Sequence, residues 1–193
     1  MELERYIVDH IDPQDEVLRE LERETNLKVL GARMISGHLQ GQFLTLLAGM
    51  IRPRFILELG TFTGYSAICL ARGLQPEGKL ITIEIDDELE SLAGKYFIKA
   101  GLQEKIVQLT GPALEIIPTL TETFDMAFID ANKGEYLEYF NLIEEKIKIG
   151  GLIAADNVVS HRDSMKEFLD EIYSKKNYHI TELPLGGGIL LGL

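Results

Sequence analysis

The chain has one cysteine, Cys69, and no uninterrupted apolar stretch near the roughly 20 residues needed to cross a bilayer. A lone cysteine excludes an internal disulfide framework and any multi-cysteine zinc site, and it suits a reducing compartment. The start, Met1-Glu2-Leu3-Glu4-Arg5, lacks the basic and apolar regions of a signal peptide. Basic residues are scarce: nineteen Lys+Arg against thirty-one Asp+Glu leave a formal net charge of −12. Such a chain repels polyphosphates at long range, which disfavours a dedicated nucleic-acid scaffold and leaves only a local patch for RNA. Internal repeats, low-complexity tracts and linkers are also missing. What is present is ordinary: 193 residues, 46% of them hydrophobic, enough for one domain with its own core. A soluble, cytoplasmic single domain with no membrane association is the expectation.

The first thirty or so residues read as helix, with Asp12-Pro13 as its start and Leu18, Leu21, Leu27, Val29 and Leu30 set among charges. A second helix runs from about His38 to Met50 and is ended by Arg52-Pro53. From there the pattern alternates. Phe55–Leu59, Leu80–Glu84, Ile106–Leu109, Asp125–Ile129 and Gly150–Ala155 are apolar runs of strand length. Helical stretches lie between or after them: through Leu70, Leu89 to Ala100, Tyr136 to Ile147, and Met165 to Tyr173. Five such units predict a parallel sheet with helices on both faces, an α/β doubly wound fold. Two last strands, at Tyr178–Thr181 and Gly188–Leu191, are too close for a crossover helix and should form an antiparallel edge hairpin. Residues 1–50 are thus read as helices packing on an α/β core of 51–193.

Ligands of open parallel sheets bind at the carboxyl ends of the strands. The first strand ends in Gly60-Thr61-Phe62-Thr63-Gly64, whose spacing is neither G-x-G-x-x-G nor a P-loop, so it suits a nucleoside better than a phosphate. A plain turn is the bland alternative. Glu84 closes the second strand, where an acid typically accepts ribose hydroxyls; otherwise it is a solvated carboxylate. The fourth and fifth strands end in Asp130-Ala131-Asn132-Lys133 and Asp156-Asn157. Two carboxylates and a carboxamide form an oxygen-only set suited to Mg²⁺, Mn²⁺ or Ca²⁺. Lys133, three residues past Asp130, would stand beside the ion, where its ammonium form is disfavoured, and is a candidate general base. The alternative is that Asp130 caps a helix and Asp156-Asn157 makes a turn.

These residues resemble the cation-dependent class I O-methyltransferases, the family of catechol and caffeoyl-CoA O-methyltransferases and their bacterial relatives. The likeness rests on Met34–Gln42, on Ile56–Ser66, on Gly111-Pro112-Ala113-Leu114, and on Phe128–Lys133 with Asp156-Asn157. It implies a seven-stranded, mostly parallel sheet with an antiparallel C-terminal hairpin. It implies S-adenosylmethionine (SAM) held by Ser36, Glu58, Gly60, Thr61, Ser66, Glu84 and Ala113. It implies a divalent cation, Mg with Mn or Ca as alternatives, on Asp130, Asp156 and Asn157, with Lys133 and Asp130 catalytic. The acceptor implied is a small hydroxylated, catechol-like aromatic, and a homodimer is expected. Departures are a short segment between Asn157 and Tyr178, and Gly186-Gly187-Gly188 in place of Gly/Arg-Asp-Gly.

Two other readings stay open. Some bacterial relatives methylate a hydroxyuridine in tRNA, for which Lys28, Arg33, Arg52 and Arg54 would supply the patch. A nucleoside-binding module without catalysis is the other. Cys69 reads as a buried structural thiol, and His10 and His179 as ordinary surface residues; His38 is either a cap or a cofactor contact.

Overall fold

A computed structural model describes residues 2–192. Two N-terminal helices come first, α1 (Glu2–Val8) and α2 (Glu16–Lys28). Asp15, not Asp12, starts α2: its carboxylate accepts from the N–H groups of Val17 and Leu18 at 3.0 and 3.2 Å. The expectation of one helix starting at Asp12 is therefore corrected. Pro13 supplies no N–H, whereas Asp15 stands where its side chain reaches the free N–H groups of the first turn. Helix α3 (Gly37–Ile51) buries Gln40, Gly41, Leu44, Leu47 and Ala48, a three-to-four-residue spacing that marks one face. Arg52 ends it in the left-handed region, with its N–H on the carbonyl of Ala48.

The α/β part then follows in order: β1 (Phe55–Leu59), α4 (Tyr65–Ala71), β2 (Lys79–Glu84), α5 (Glu90–Lys99), β3 (Ile106–Thr110), α6 (Ala113–Ile116), β4 (Phe124–Ile129), α7 (Tyr136–Glu144), β5 (Ile147–Ala155), α8 (Lys166–Ser174), β6 (Ile180–Leu183) and β7 (Ile189–Gly192). The seven strands make one sheet in the order β3-β2-β1-β4-β5-β7-β6. Strands β1 to β5 are parallel, while β7 runs antiparallel between β5 and the edge strand β6. The fold and the hairpin are those expected. Two boundaries moved. Helix α7 ends at Glu144 rather than Ile147, because the Lys146 carbonyl takes the N–H of Phe124 and Ile147 pairs with β4. A register shift against β4 then carries β5 through Gly150, which has φ +77°.

Both faces of the sheet are covered. Ile56, Leu80, Met126 and Ala154 pack under α2 to α5 with Leu21, Leu44, Ile68 and Phe97. Leu57, Ile83, Ile129 and Ile153 face Phe140, Ile143, Phe168 and Ile172 on the other side. Strands covered twice carry apolar residues at nearly every position, which explains their continuous rather than alternating pattern. Cys69 is fully buried there, and burial pushes its thiol up to about 12, in keeping with a structural role. Among the described residues no helix is long and apolar enough to cross a membrane.

The cap geometry separates two neighbouring aspartates. Asp15→Ala should lower unfolding stability by about 1 kcal/mol. Its exposed ion pair with Arg72, at 3.0 Å, should add little to that loss. Asp12→Ala should leave stability nearly unchanged, and equal losses in chemical denaturation of the two variants would contradict the assignment of the cap.

Candidate active site

Strand order decides where the candidate residues meet. The chain leaves β1 toward β2 and returns on the other side of β1 at β4, so the sheet reverses between β1 and β4. Such a switch point opens a crevice at the carboxyl ends of the strands. Register sets Leu59 beside Ile129 and Ile129 beside Ala155. Gly60, Asp130 and Asp156, each one residue further on, therefore stand side by side.

Gly60 has φ +95°, and a Cβ there would lie 2.0 Å from the carbonyl oxygen of Asp130. No side chain fits between the two loops, so glycine is required by contact as well as by conformation. The loop it opens is held by Glu84. One carboxylate oxygen accepts the N–H of Phe62 at 2.7 Å, and the other accepts those of Ile85 and Asp86 at 2.9 and 3.1 Å. Phe62 lies at φ +47°, so this bond stabilises a backbone that is uncommon for a bulky residue. A carboxylate has about four acceptor sites, which leaves one for a further donor such as a hydroxyl.

Beneath the loop, Glu58 is fully buried on β1. Thr82 donates to its Oε2 at 2.6 Å, while Oε1 has no partner. Burial pushes its carboxyl up to about 8; the hydroxyls of Thr82 and Ser66 oppose that shift, and the charges of Asp130 and Glu84 add to it. An unpartnered acceptor under a glycine loop fits a ligand that brings a donor or a positive charge. Thr61 is 1% exposed and its hydroxyl lies 2.5 Å from that of Thr82, so its side chain serves the loop itself. Ser66 is buried on the first turn of α4 near Glu58. Ser36 is half-buried just before α3, with no capping bond from its hydroxyl, and Ala113 begins α6 past the end of β3. The segment around Ala113 thus contains one helical turn. Glu58, Gly60, Thr61, Ser66, Glu84 and Ala113 lie toward the carboxyl ends of β1 to β3, and Ser36 stands just before α3.

The second group lies across the switch point. Lys133 donates to Asp130 Oδ1 at 2.7 Å and stands over the ring of Tyr136 at 5.5 Å. Asp156 is 3% exposed; its Oδ1 accepts the N–H of Asn157 and its Oδ2 the amide of Gln40, both at 2.7 Å. Burial and the charge of Asp130 push Asp156 up to about 6, against the pull of Gln40, Asn157 and Lys133. Asn157 takes φ +64°, a conformation asparagine tolerates better than most residues. Among the described residues no three His, Cys, Asp or Glu side chains cluster as metal ligands. Asp130 and Asp156 are brought together, with Asn157 next in the chain and its amide nitrogen beside the Gly187 turn, and an acid raised by its neighbour's charge is one that a cation would relieve.

A family profile described as O-methyltransferase matches residues 8–191. The chain belongs to the O-methyltransferase family. A relative described as catechol O-methyltransferase, from Niastella koreensis, is 41% identical over 162 residues, covering 81% of this chain and 72% of the relative. Caffeoyl-CoA O-methyltransferase 1 of Eucalyptus globulus is 33% identical, covering 92% and 81%. The solved O-methyltransferase of Bacillus cereus in complex with SAH superposes with a TM-score of 0.91 at 29% identity, covering 100% and 96%. One from Streptomyces achromogenes involved in tomaymycin synthesis, in complex with SAM, reaches 0.90 at 31%, covering 100% and 95%.

For an O-methyltransferase with this site, the sequence reading overlooked three supports. Gln40 reaches Asp156 from α3. The Tyr136 hydroxyl bridges the carbonyls of Ile129 and Asp156 at 3.1 and 3.2 Å. Thr25 of α2 donates to Thr63 of the glycine loop at 3.0 Å in a buried pair. A lone amide on the core face of an apolar helix was the available signal for Gln40; the other two read as ordinary core. His38 donates to the Asp12 carbonyl at 2.9 Å.

Burial of Glu58 has a consequence for pH. Its folded carboxyl, at about 8, holds a proton more tightly than the ordinary group near 4.5 does in the unfolded chain. Its contribution to stability is therefore full below 4.5 and is lost as pH rises through about 8. Asp156 follows the same sign and is lost as pH rises through about 6, so the upper part of the decline comes mainly from Glu58. Ligand-free protein should lose melting temperature between about pH 6.5 and 9, and Glu58→Gln should flatten that decline. Parallel curves for the two proteins would exclude Glu58 as the source.

Proposed function

We propose that the chain transfers a methyl group from SAM to a hydroxyl of a small, catechol-like aromatic, with a divalent cation at Asp130, Asp156 and Asn157. The observation that carries this reading is the contact of Gly60 with the Asp130 carbonyl, which gives the nucleoside loop and the acidic pair one shared wall. On one side of that wall Glu84 offers its remaining acceptor site to the ribose. The free oxygen of Glu58 faces a donor or the positive charge of the amino acid part, and Ser36, Ser66, Thr61 and Ala113 complete the enclosure. On the other side the donor set is hard and oxygen-only, as Mg²⁺, Mn²⁺ or Ca²⁺ prefer. A cation bound there supplies Lewis acidity and a template for two neighbouring acceptor oxygens.

The chain's own residues supply position and proton transfer. Lys133, beside Asp130, would take the acceptor's hydroxyl proton in its neutral amine form, which a cation held by Asp130 would favour, as the new carbon–oxygen bond forms and the sulfonium carbon–sulfur bond breaks. Holding donor and acceptor in line on adjacent strand ends supplies the orientation such a displacement needs. Beyond Lys133 a cleft of about 260 Å³ opens between α7 and the start of α8, and Glu138, Asp163, Lys166 and Glu167 line it beside Tyr136 and Leu137.

Methyl transfer to a catechol should stop in excess chelator and return with Mg²⁺. Lys133→Met should lower kcat by about 10² to 10⁴ while SAM affinity stays close to wild type. Undiminished turnover in chelator would overturn the metal assignment, and undiminished turnover of the variant would overturn Lys133 as base.

A further inference from the structure

Gln40 is 6% exposed on α3, with apolar or small neighbours at Leu39, Gly41 and Leu44. An amide buried in such a face needs a partner, and the partner here is 116 positions away. Its nitrogen donates to Asp156 Oδ2 at 2.7 Å, while Oδ1 is held by the N–H of Asn157. Each carboxylate oxygen thus has one donor, from two different directions, and together they fix its plane.

The turn between β6 and β7 closes over the same residues. A Cβ at Gly186 would lie 3.0 Å from Gln40 Oε1. One at Gly187 would lie 2.4 Å from Asn157 Nδ2 and 2.5 Å from Ser160 Oγ. The N–H groups of Val159 and Ser160 bond the Gly187 carbonyl at 3.0 and 2.8 Å, which fastens the turn to the segment after Asn157.

We propose that Gln40 is a positioning residue of the metal site: it orients Asp156 from α3, while the side-chain-free turn at 186–188 holds Gln40 and Asn157 in place. The proposal rests on the metal reading given above. Removing Gln40's donor leaves Asp156 free to rotate and lowers the affinity for the cation without touching the SAM side of the crevice. A purely structural Gln40 would lower stability and leave cation affinity alone.

The test titrates Mn²⁺ into the full chain by calorimetry and follows its paramagnetic resonance signal, in wild type, Gln40→Met and Asp156→Ala. SAM affinity is measured on the same samples. Gln40→Met keeps the side chain's length and removes the donor. It should weaken Mn²⁺ binding by about 10- to 100-fold, change the resonance of the bound ion and leave SAM affinity unchanged. If that variant does not fold, Gln40→Asn keeps the amide but withdraws it by one methylene, and the same result is expected. Wild-type Mn²⁺ affinity in the Gln40 variant, with binding abolished in Asp156→Ala, overturns the proposal and leaves the metal site standing. No Mn²⁺ binding by the wild type overturns the metal site and the proposal with it.

Discussion

The site depends on the close approach of two strand-end loops, where Gly60 lies against the Asp130 carbonyl with no room for a side chain. Parallel pairing of β1 with β4 creates the approach, and the glycine at the joint permits it. Glu58, Gly60 and Glu84 on the donor side hang from β1 and β2, and Asp130 and Asp156 on the acidic side from β4 and β5. The contact is where the two halves meet, so distances across the crevice are set by backbone rather than by flexible side chains. Sites mounted on rigid elements in this way hold their geometry well.

Two buried acids are raised for different reasons, and the difference tells them apart. Glu58 is raised mainly by burial and retains an oxygen with no partner, which suits a ligand that arrives with a donor or a charge. Asp156 is raised by burial and then by Asp130, although both of its oxygens are hydrogen-bonded. A second negative charge beside a satisfied carboxylate calls for a cation rather than another donor. Both acids are thus disfavoured as free carboxylates, and on each side of the shared wall a nearby positive charge would favour the ionised form.

The N-terminal helices take part in this arrangement. Thr25 bonds the glycine loop through Thr63, and Gln40 bonds Asp156. Gln14 donates to Tyr65 at the start of α4, and Glu24 accepts from Tyr96 and Lys95 on α5. The N-terminal helices thus make polar contacts with the α/β part in addition to packing on it.

Much was legible in the chain itself. Apolar runs at Phe55–Leu59 and Asp125–Ile129, glycines after the first run and acids after the fourth and fifth are local facts, and strand-end chemistry follows from them by a general rule. Helix limits were less legible at Asp15 and Glu144, because they turn on which hydrogen bond wins: a cap over a neighbouring aspartate in one case, and strand pairing over a last helical turn in the other. Gln40 and Tyr136 were invisible as site residues, since their roles consist of contacts with Asp156, which stands 116 positions from Gln40 and 20 from Tyr136. The sequence by itself determined the order of elements, the glycine loop and the identity of the polar groups, because these depend on residue type and spacing. Only the tertiary structure decided strand order, the meeting of Gly60 with Asp130, and which buried polar atoms lack or share partners. Those depend on distances between segments that the chain keeps far apart.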